Sequence, residues 1–377
     1  MSVAEWIEAT WGELVTLEYG KSLRDYATNH NGGVPVFGTN GQIGFTDKAL
    51  CPFPSVVVGR KGAYRGIHYS DRPFYVIDTA FYVKPKSSNL DLKFAYYQLL
   101  TQDINGMDSG SAIPSTSRED FYNLPLKLPP PPTQTRIAAI LTSLDDKIEL
   151  NRQTNATLEA IAQAIFKEWF VDFRFPGATG EMQGSELGPI PKGWRVGKLG
   201  DICEVNRNTI SKRDVFQHIE YIEISEVNRG VIGKTTIYPY GTEPSRAKRR
   251  LKHGDSVLST VRPNRGAYFL SLNPCSNLIA STGFAVFSPT TVTSSFLYLL
   301  LTAPEKLEYY GNVADGGAYP AINPKLIMDI DVVVPIEDVL NDFQSIAYPL
   351  FEEINNNNHQ SNTLAKIRNV LLPKLMN

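Results

Sequence analysis

Three short stretches of this chain gather side chains capable of chemistry, and each is rich in the hydrogen-bond donors that an anion such as a phosphate accepts. Gly59-Arg60-Lys61-Gly62-Ala63-Tyr64-Arg65-Gly66 sets three cations and a tyrosine among glycines. With no side chain at the glycines, the backbone can approach a phosphate while an arginine reaches a base edge. Val261-Arg262-Pro263-Asn264-Arg265-Gly266 repeats that composition in the second half of the chain, and Ser245-Arg246-Ala247-Lys248-Arg249-Arg250-Leu251-Lys252 is the densest basic run of all. The candidate contacts are Arg60, Lys61, Tyr64, Arg65, Arg246, Lys248, Arg249, Arg262, Asn264 and Arg265. Any one stretch taken alone also fits a solvated loop; recurrence of the first at a matching place favours binding. Gly38-Thr39-Asn40-Gly41-Gln42-Ile43-Gly44 reads as a hairpin turn rather than a ligand cradle.

Other chemistries find no residues. No glycine-rich turn sits between a strand and a helix to cradle phosphates, no Asn-Pro-Pro-aromatic or Asp-Pro-Pro-Tyr methyltransferase box is present, and no Cys/His cluster has metal spacing. His30, His68, His218, His253 and His359 are scattered. Cys51, Cys203 and Cys275 are isolated thiols, and the start of the chain lacks a basic, then apolar leader. A reducing cytoplasm is the expected compartment. The net charge of −2 hides a mild asymmetry: residues 1–132 hold 12 basic and 13 acidic side chains, residues 195–336 hold 16 and 13. So balanced a chain binds nucleic acid weakly by itself unless its cations share a face or a partner adds phosphate contacts.

The elements that position these loops are legible from periodicity. Stepping four and three residues from Ile137 lands on Leu141, Leu144, Ile148, Asn151, Asn155, Leu158, Ala162, Ile165 and Trp169, a heptad seam interrupted by two asparagines. It predicts one helix about 50 Å long. Moving the seam on by 206 gives Phe343, Ala347, Leu350, Ile354, Asn357, Ser361, Leu364, Arg368, Leu371 and Leu375, again with polar residues in the middle. Two long helices packed on each other follow, their buried polar groups fixing register. Pro349 lies inside the second seam, so that helix is expected to start or kink there. Phe166, Trp169 and Phe170 at the end of the first seam either dock a partner or complete the core of the following domain.

Upstream of each helix lies a β-rich segment. Ser55–Val58, Phe74–Ile77, Ala80–Val83 and Leu124–Leu128 read as strands and Leu92–Leu100 as a helix, ended by Pro129-Pro130-Pro131-Pro132. The downstream segment repeats this one. Gly110-Ser111-Ala112-Ile113-Pro114-Ser115 answers Gly316-Gly317-Ala318-Tyr319-Pro320-Ala321, and Leu124–Pro129 answers Ile330–Pro335, both at the helices' offset of 206. The offset drifts farther upstream, so loops vary while helices stay in step. The resulting plan is α/β (α+β): a domain at 1–132, a long helix at 133–175, a linker at 176–194, a second domain at 195–336 and a last helix at 337–377. The helices form an antiparallel coiled coil within a pseudo-two-fold repeat.

Domain, helix, domain, helix in that order resembles the specificity subunit of type I restriction-modification systems. The residues carrying the likeness are Val34–Gly41, Phe166-Lys167-Glu168-Trp169-Phe170-Val171-Asp172-Phe173, Gly188-Pro189-Ile190-Pro191-Lys192-Gly193-Trp194 and Leu371–Met376. The resemblance implies a non-catalytic reader of double-stranded DNA in which each target recognition domain reads one half of a split site and the helices set the gap. It implies partners as well: two methyltransferase subunits, which carry S-adenosylmethionine, and restriction subunits, with no cofactor on this chain and no membrane. Three other readings stay open. One is the specificity subunit of a type IIB-like enzyme, another a coiled-coil scaffold with two ligand-binding heads, and the third a free-standing repressor, which the unequal heads disfavour.

Overall fold

In the computed structural model, residues 6–27, 33–107, 114–211, 213–317 and 319–376 are described. Four residues of the first proline-containing loop repeat, Gly110 to Ile113, and also His30 and Ala318, lie outside them. The chain forms two compact units, one from residues 1–148 with 363–377 and the other from residues 149–362.

The first unit is built on a four-stranded antiparallel sheet in the order Val15–Tyr19, Ala80–Pro85, Ser55–Gly59, Ile67–Ser70. Ser55–Gly59 lies inside that sheet and is buried along its whole length, which is why it reads as a continuous β-branched run. A second sheet joins Gly41–Thr46, Val34–Gly38 and Tyr75–Val76. The Gly38–Gly44 stretch is indeed a hairpin, with Gly41 at φ 111° where a side chain would be strained.

The second unit repeats the plan. Cys203–Val205, Phe284–Pro289, Ser256–Ser259 and Tyr268–Leu270 form the equivalent antiparallel sheet. Thr236–Pro239, His218–Ile222, Leu278–Ser281 and Ala247–Arg250 form the second, which like its counterpart contains one parallel pair. The stretch before it does more than link: Ile190 and Trp194 are buried, and Trp194 stacks on Phe175 with ring centroids 5.2 Å apart.

Helix α1 spans Pro131–Phe166 and continues as a π-helical turn over Lys167–Val171. It starts inside the proline run because the first positions of a helix donate no intrahelical hydrogen bond, so proline costs nothing there. Helix α2 spans Glu337–Met376, with Glu337 and Asp338 in its first turn facing the positive end of the helix dipole. It passes through Pro349 without ending. That corrects the expectation of a start at the proline, and the reason is positional: Pro349 and Ser345 one turn before it are both solvent-exposed, so water serves the carbonyl that loses its partner.

Every seam residue of both helices is buried or half-buried. Within the second unit α1 and α2 run antiparallel, joined by the central asparagines. Asn151 Nδ2 donates to Gln360 Oε1 at 2.9 Å, to Ser361 Oγ at 3.2 Å and to the Asn357 carbonyl at 3.3 Å. Asn155 Nδ2 donates to Asn358 Oδ1 and receives Asn357 Nδ2 on its own oxygen at 3.0 Å. Within the first unit the polar seam residue Arg368 is answered by Asp145 at 2.6 Å, whose other oxygen accepts from Tyr97 at 2.7 Å. Slipping either pairing by a turn would set these groups against leucine, so they specify register more than they stabilise.

Phe166, Trp169 and Phe170 are the core of the second unit, not a docking surface: all three are 7–8% exposed. Phe170 packs on Phe296 at 4.8 Å, Phe343 at 4.9 Å and Trp194 at 5.9 Å. The π-helical turn over Lys167–Val171 carries Trp169 and Phe170.

Candidate nucleic-acid interface

In both units the basic loop emerges from the innermost strand and is tied down by the proline-containing repeat. In the first unit Thr116 N donates to the Arg60 carbonyl at 2.9 Å and Gly62 N to the Pro114 carbonyl at 3.0 Å. In the second, Ile322 N donates to the Thr260 carbonyl at 2.9 Å and Arg262 N to the Pro320 carbonyl at 2.8 Å. The two motifs that recur separately in the sequence are thus halves of one bridged loop pair. Gly62 (φ 123°) and Arg262 (φ 48°) occupy the same bonding position, both with positive φ, so the second unit holds an arginine in a strained conformation where the first uses glycine.

The candidates divide clearly. In the first unit Lys61 and Tyr64 are exposed at the loop tip, while Arg60 is half-buried, its guanidinium 4.8 Å from the Tyr19 ring centre and donating to the Asp78 carbonyl at 3.1 Å. Arg65 does not face a ligand. It is 1% exposed, and its Nη2 donates to the carbonyls of Ile104, Asn105 and Met107 at 2.7–3.1 Å. Its backbone N–H is also held, by Asn105 Oδ1 at 2.7 Å. The arginine nails the loop to residues 104–107 through Nη2, while its Nε and Nη1 are buried without a hydrogen-bond partner. Arg65→Ala should therefore cost roughly 3 kcal/mol of stability through three orphaned carbonyls. Chemical denaturation would register that loss, and a variant of unchanged stability would return Arg65 to the list of contacts.

In the second unit Asn264 and Arg265 are exposed, and Arg262 lies 4.6 Å from the ring centre of Tyr319, which is 73% exposed. Arg246, Lys248 and Arg249 belong to the edge strand Ala247–Arg250 and its approach. Arg246 is exposed and Lys248 half-exposed, whereas Arg249 is partly buried with its Nε enclosed, and burial lowers its affinity for a proton. Arg250 is engaged by Asp214 at 2.8 Å. This strand adjoins the other loop through one dipeptide: Thr282 N donates to the Arg246 carbonyl, and the Gly283 carbonyl accepts from Thr260 N. The two basic stretches of the second unit therefore converge.

Sequence reasoning missed Tyr19 and Arg118, which join Arg60 in the first unit, because neither stands in a basic run; Arg118 is followed at once by Glu119 and Asp120. The two buried thiols are poor nucleophiles, since burial pushes Cys51 up to about 11 and Cys203 up to about 12. Among the described residues no group of three or more His, Cys, Asp or Glu could hold a metal, and no helix is long and apolar enough to cross a membrane.

The same α+β plan thus occurs twice in the chain, and each copy presents a braced cationic loop. The chain belongs to the type I restriction modification DNA specificity domain family, whose model matches it twice, over residues 4–160 and 191–365. It is 25% identical over 378 residues to the HindI specificity subunit of Haemophilus influenzae, covering 82% of each chain. It is 28% identical over 302 residues to the MjaIX specificity subunit of Methanocaldococcus jannaschii, covering 75% of this chain and 68% of that one. The S subunit of a type I restriction-modification system from M. genitalium shares the fold with a TM-score of 0.66 at 18% identity, over 100% of this chain and 97% of that one.

Proposed function

We propose that the chain is the non-catalytic DNA-recognition subunit of a type I restriction-modification complex, in which each unit reads one half of a bipartite asymmetric site. The observation that supports this best is the same braced loop in two copies with different side chains: Lys61 and Tyr64 in one, Arg262, Asn264 and Arg265 in the other. Equal frames with unequal tips suit an asymmetric target, whereas a palindrome calls for identical readers. Exposed cations next to exposed tyrosines supply both phosphate attraction and base contact. The chain works in the cytoplasm with two methyltransferase subunits and with restriction subunits. S-adenosylmethionine belongs to the methyltransferase, and this chain binds no cofactor of its own.

With the helix-end aromatics buried, docking of the methyltransferases falls to another set of residues. Ile140, Ile161, Ile346 and Ile367 are each 40–43% exposed. Each stands three residues after a seam residue, and the second pair repeats the first at the offset of 206. In each unit one isoleucine from α1 and one from α2 thus flank the seam, giving two equivalent apolar patches: Ile140 with Ile367, and Ile161 with Ile346. Two equal patches fit two copies of one partner. Light scattering of the purified complex tests this. Ile140→Asp with Ile367→Asp should leave one methyltransferase bound, and adding the other pair should leave none. Full assembly with all four aspartates would remove the patches from the interface.

A further inference from the structure

We propose that Tyr19, Arg60 and Arg118 form a clamp for a single phosphodiester of the DNA backbone, a contact that positions the first unit without reading sequence. The inference rests on the DNA-reading function proposed above and adds two residues, Tyr19 and Arg118, that the basic-loop pattern does not contain.

The guanidinium carbons of Arg60 and Arg118 lie 4.8 and 5.1 Å from the centre of the Tyr19 ring. Two cations sharing one ring are at most about 10 Å apart, within a Debye length at 0.1 M salt, so each feels the other's charge. Among the described residues no carboxylate forms an ion pair with either one. Their partners are neutral: Arg60 Nη1 donates to the Asp78 carbonyl at 3.1 Å, and Arg118 Nη2 to the Tyr122 hydroxyl at 2.9 Å. Such partners fix orientation and leave the double positive charge in place.

The arrangement is held in advance. Tyr122 Oη also accepts from Leu17 N at 2.9 Å, fastening the Arg118–Asn123 helix to the strand that ends at Tyr19. Arg60 is fixed through its own backbone by Thr79 and Thr116. Tyr19 is 47% exposed, while Arg60 and Arg118 are half-buried and Arg118 Nε is enclosed, so the ring meets solvent and the terminal guanidinium nitrogens are the ones left to reach a ligand. Since Tyr122 already secures the short helix, a second cation on Tyr19 adds repulsion without adding a needed joint. An arriving phosphate relieves that repulsion, and each guanidinium has donors to spare for its oxygens.

The test uses the full chain in complex with its methyltransferase, titrated over a salt series with a duplex carrying its methylation site and with an unrelated duplex. Arg60→Gln with Arg118→Gln should reduce the slope of log affinity against log salt by about 0.9, the share of the one phosphate the pair holds. Affinity for the two duplexes should fall by the same factor, and Arg60→Lys with Arg118→Lys should restore the slope. An unchanged slope, or a loss confined to the cognate duplex, overturns the clamp. Should the double glutamine variant not fold, Arg60→Gln and Arg118→Gln made singly carry the test: each should weaken both duplexes by the same factor, and undiminished affinity in either overturns the clamp. Lys61→Ala and Arg262→Ala separate this proposal from its premise. If they weaken binding and the glutamine variants do not, the clamp falls alone; if none of these variants has an effect, the DNA-reading assignment falls with it.

Discussion

Phe170→Ala is expected to cost about 3–5 kcal/mol, the range for emptying a well-packed aromatic site. The ring meets those of Phe166, Trp169, Trp194, Phe296 and Phe343, with centroids between 4.8 and 6.3 Å away. These neighbours come from α1 itself, from the stretch that follows it, from the helix Ser294–Thr302 and from α2. Four segments distant in sequence therefore converge on one side chain, and the cavity has little means of collapsing. Denaturant titration followed by tryptophan fluorescence reads the loss directly through Trp169 and Trp194. A shift below 1 kcal/mol would mean that the second unit does not depend on this cluster.

Lengthening both helices by four residues should alter the gap between half-sites and leave the half-sites themselves unchanged. The antiparallel pairing sets the design: an insertion in α1 alone would slide Asn151 and Asn155 away from Asn357, Asn358 and Ser361. Duplicating Arg152–Asn155 in α1 therefore has to be matched by duplicating Asn357–Gln360 in α2. Four residues add about 6 Å and overshoot one helical turn by about 40°. That rotation is close to the twist of one base-pair step at about 10.5 per turn. The variant complex should prefer a spacer longer by one or two base pairs, readable by mapping its methylated sites. An unchanged spacer at full activity would show that the helices do not measure the gap.

How far the sequence carries this account depends on the kind of interaction. The helical seam was legible to the residue because heptad periodicity is local, and even its two asparagines announced their role by sitting opposite polar counterparts. The strand Ser55–Gly59 was legible as a β-branched run and Ala80–Pro85 as an apolar and aromatic one. Side-chain direction in irregular loops was not. Arg65 and Arg265 stand at repeat-equivalent places, yet one is buried against carbonyls and the other exposed, because residues 104–107 close over the first loop. Composition records that an arginine is present; only tertiary contacts say whether it points outward. The same limit hid Arg118, whose partners Tyr19 and Tyr122 come from opposite ends of the first unit's sequence. For Phe166, Trp169 and Phe170 the sequence left docking and core open, and burial decides for core.

The central claim is that each unit reads its own half of the target, and methylome mapping with single-loop variants tests it most directly. Cells carrying the methyltransferase with the parent chain should show one bipartite, asymmetric motif. Lys61→Ala with Tyr64→Ala should relax bases in one half only, and Arg262→Ala with Arg265→Ala in the other half only, each base contact costing about 1–3 kcal/mol of discrimination. Relaxation of both halves by either variant, or a motif untouched by both, would contradict the account.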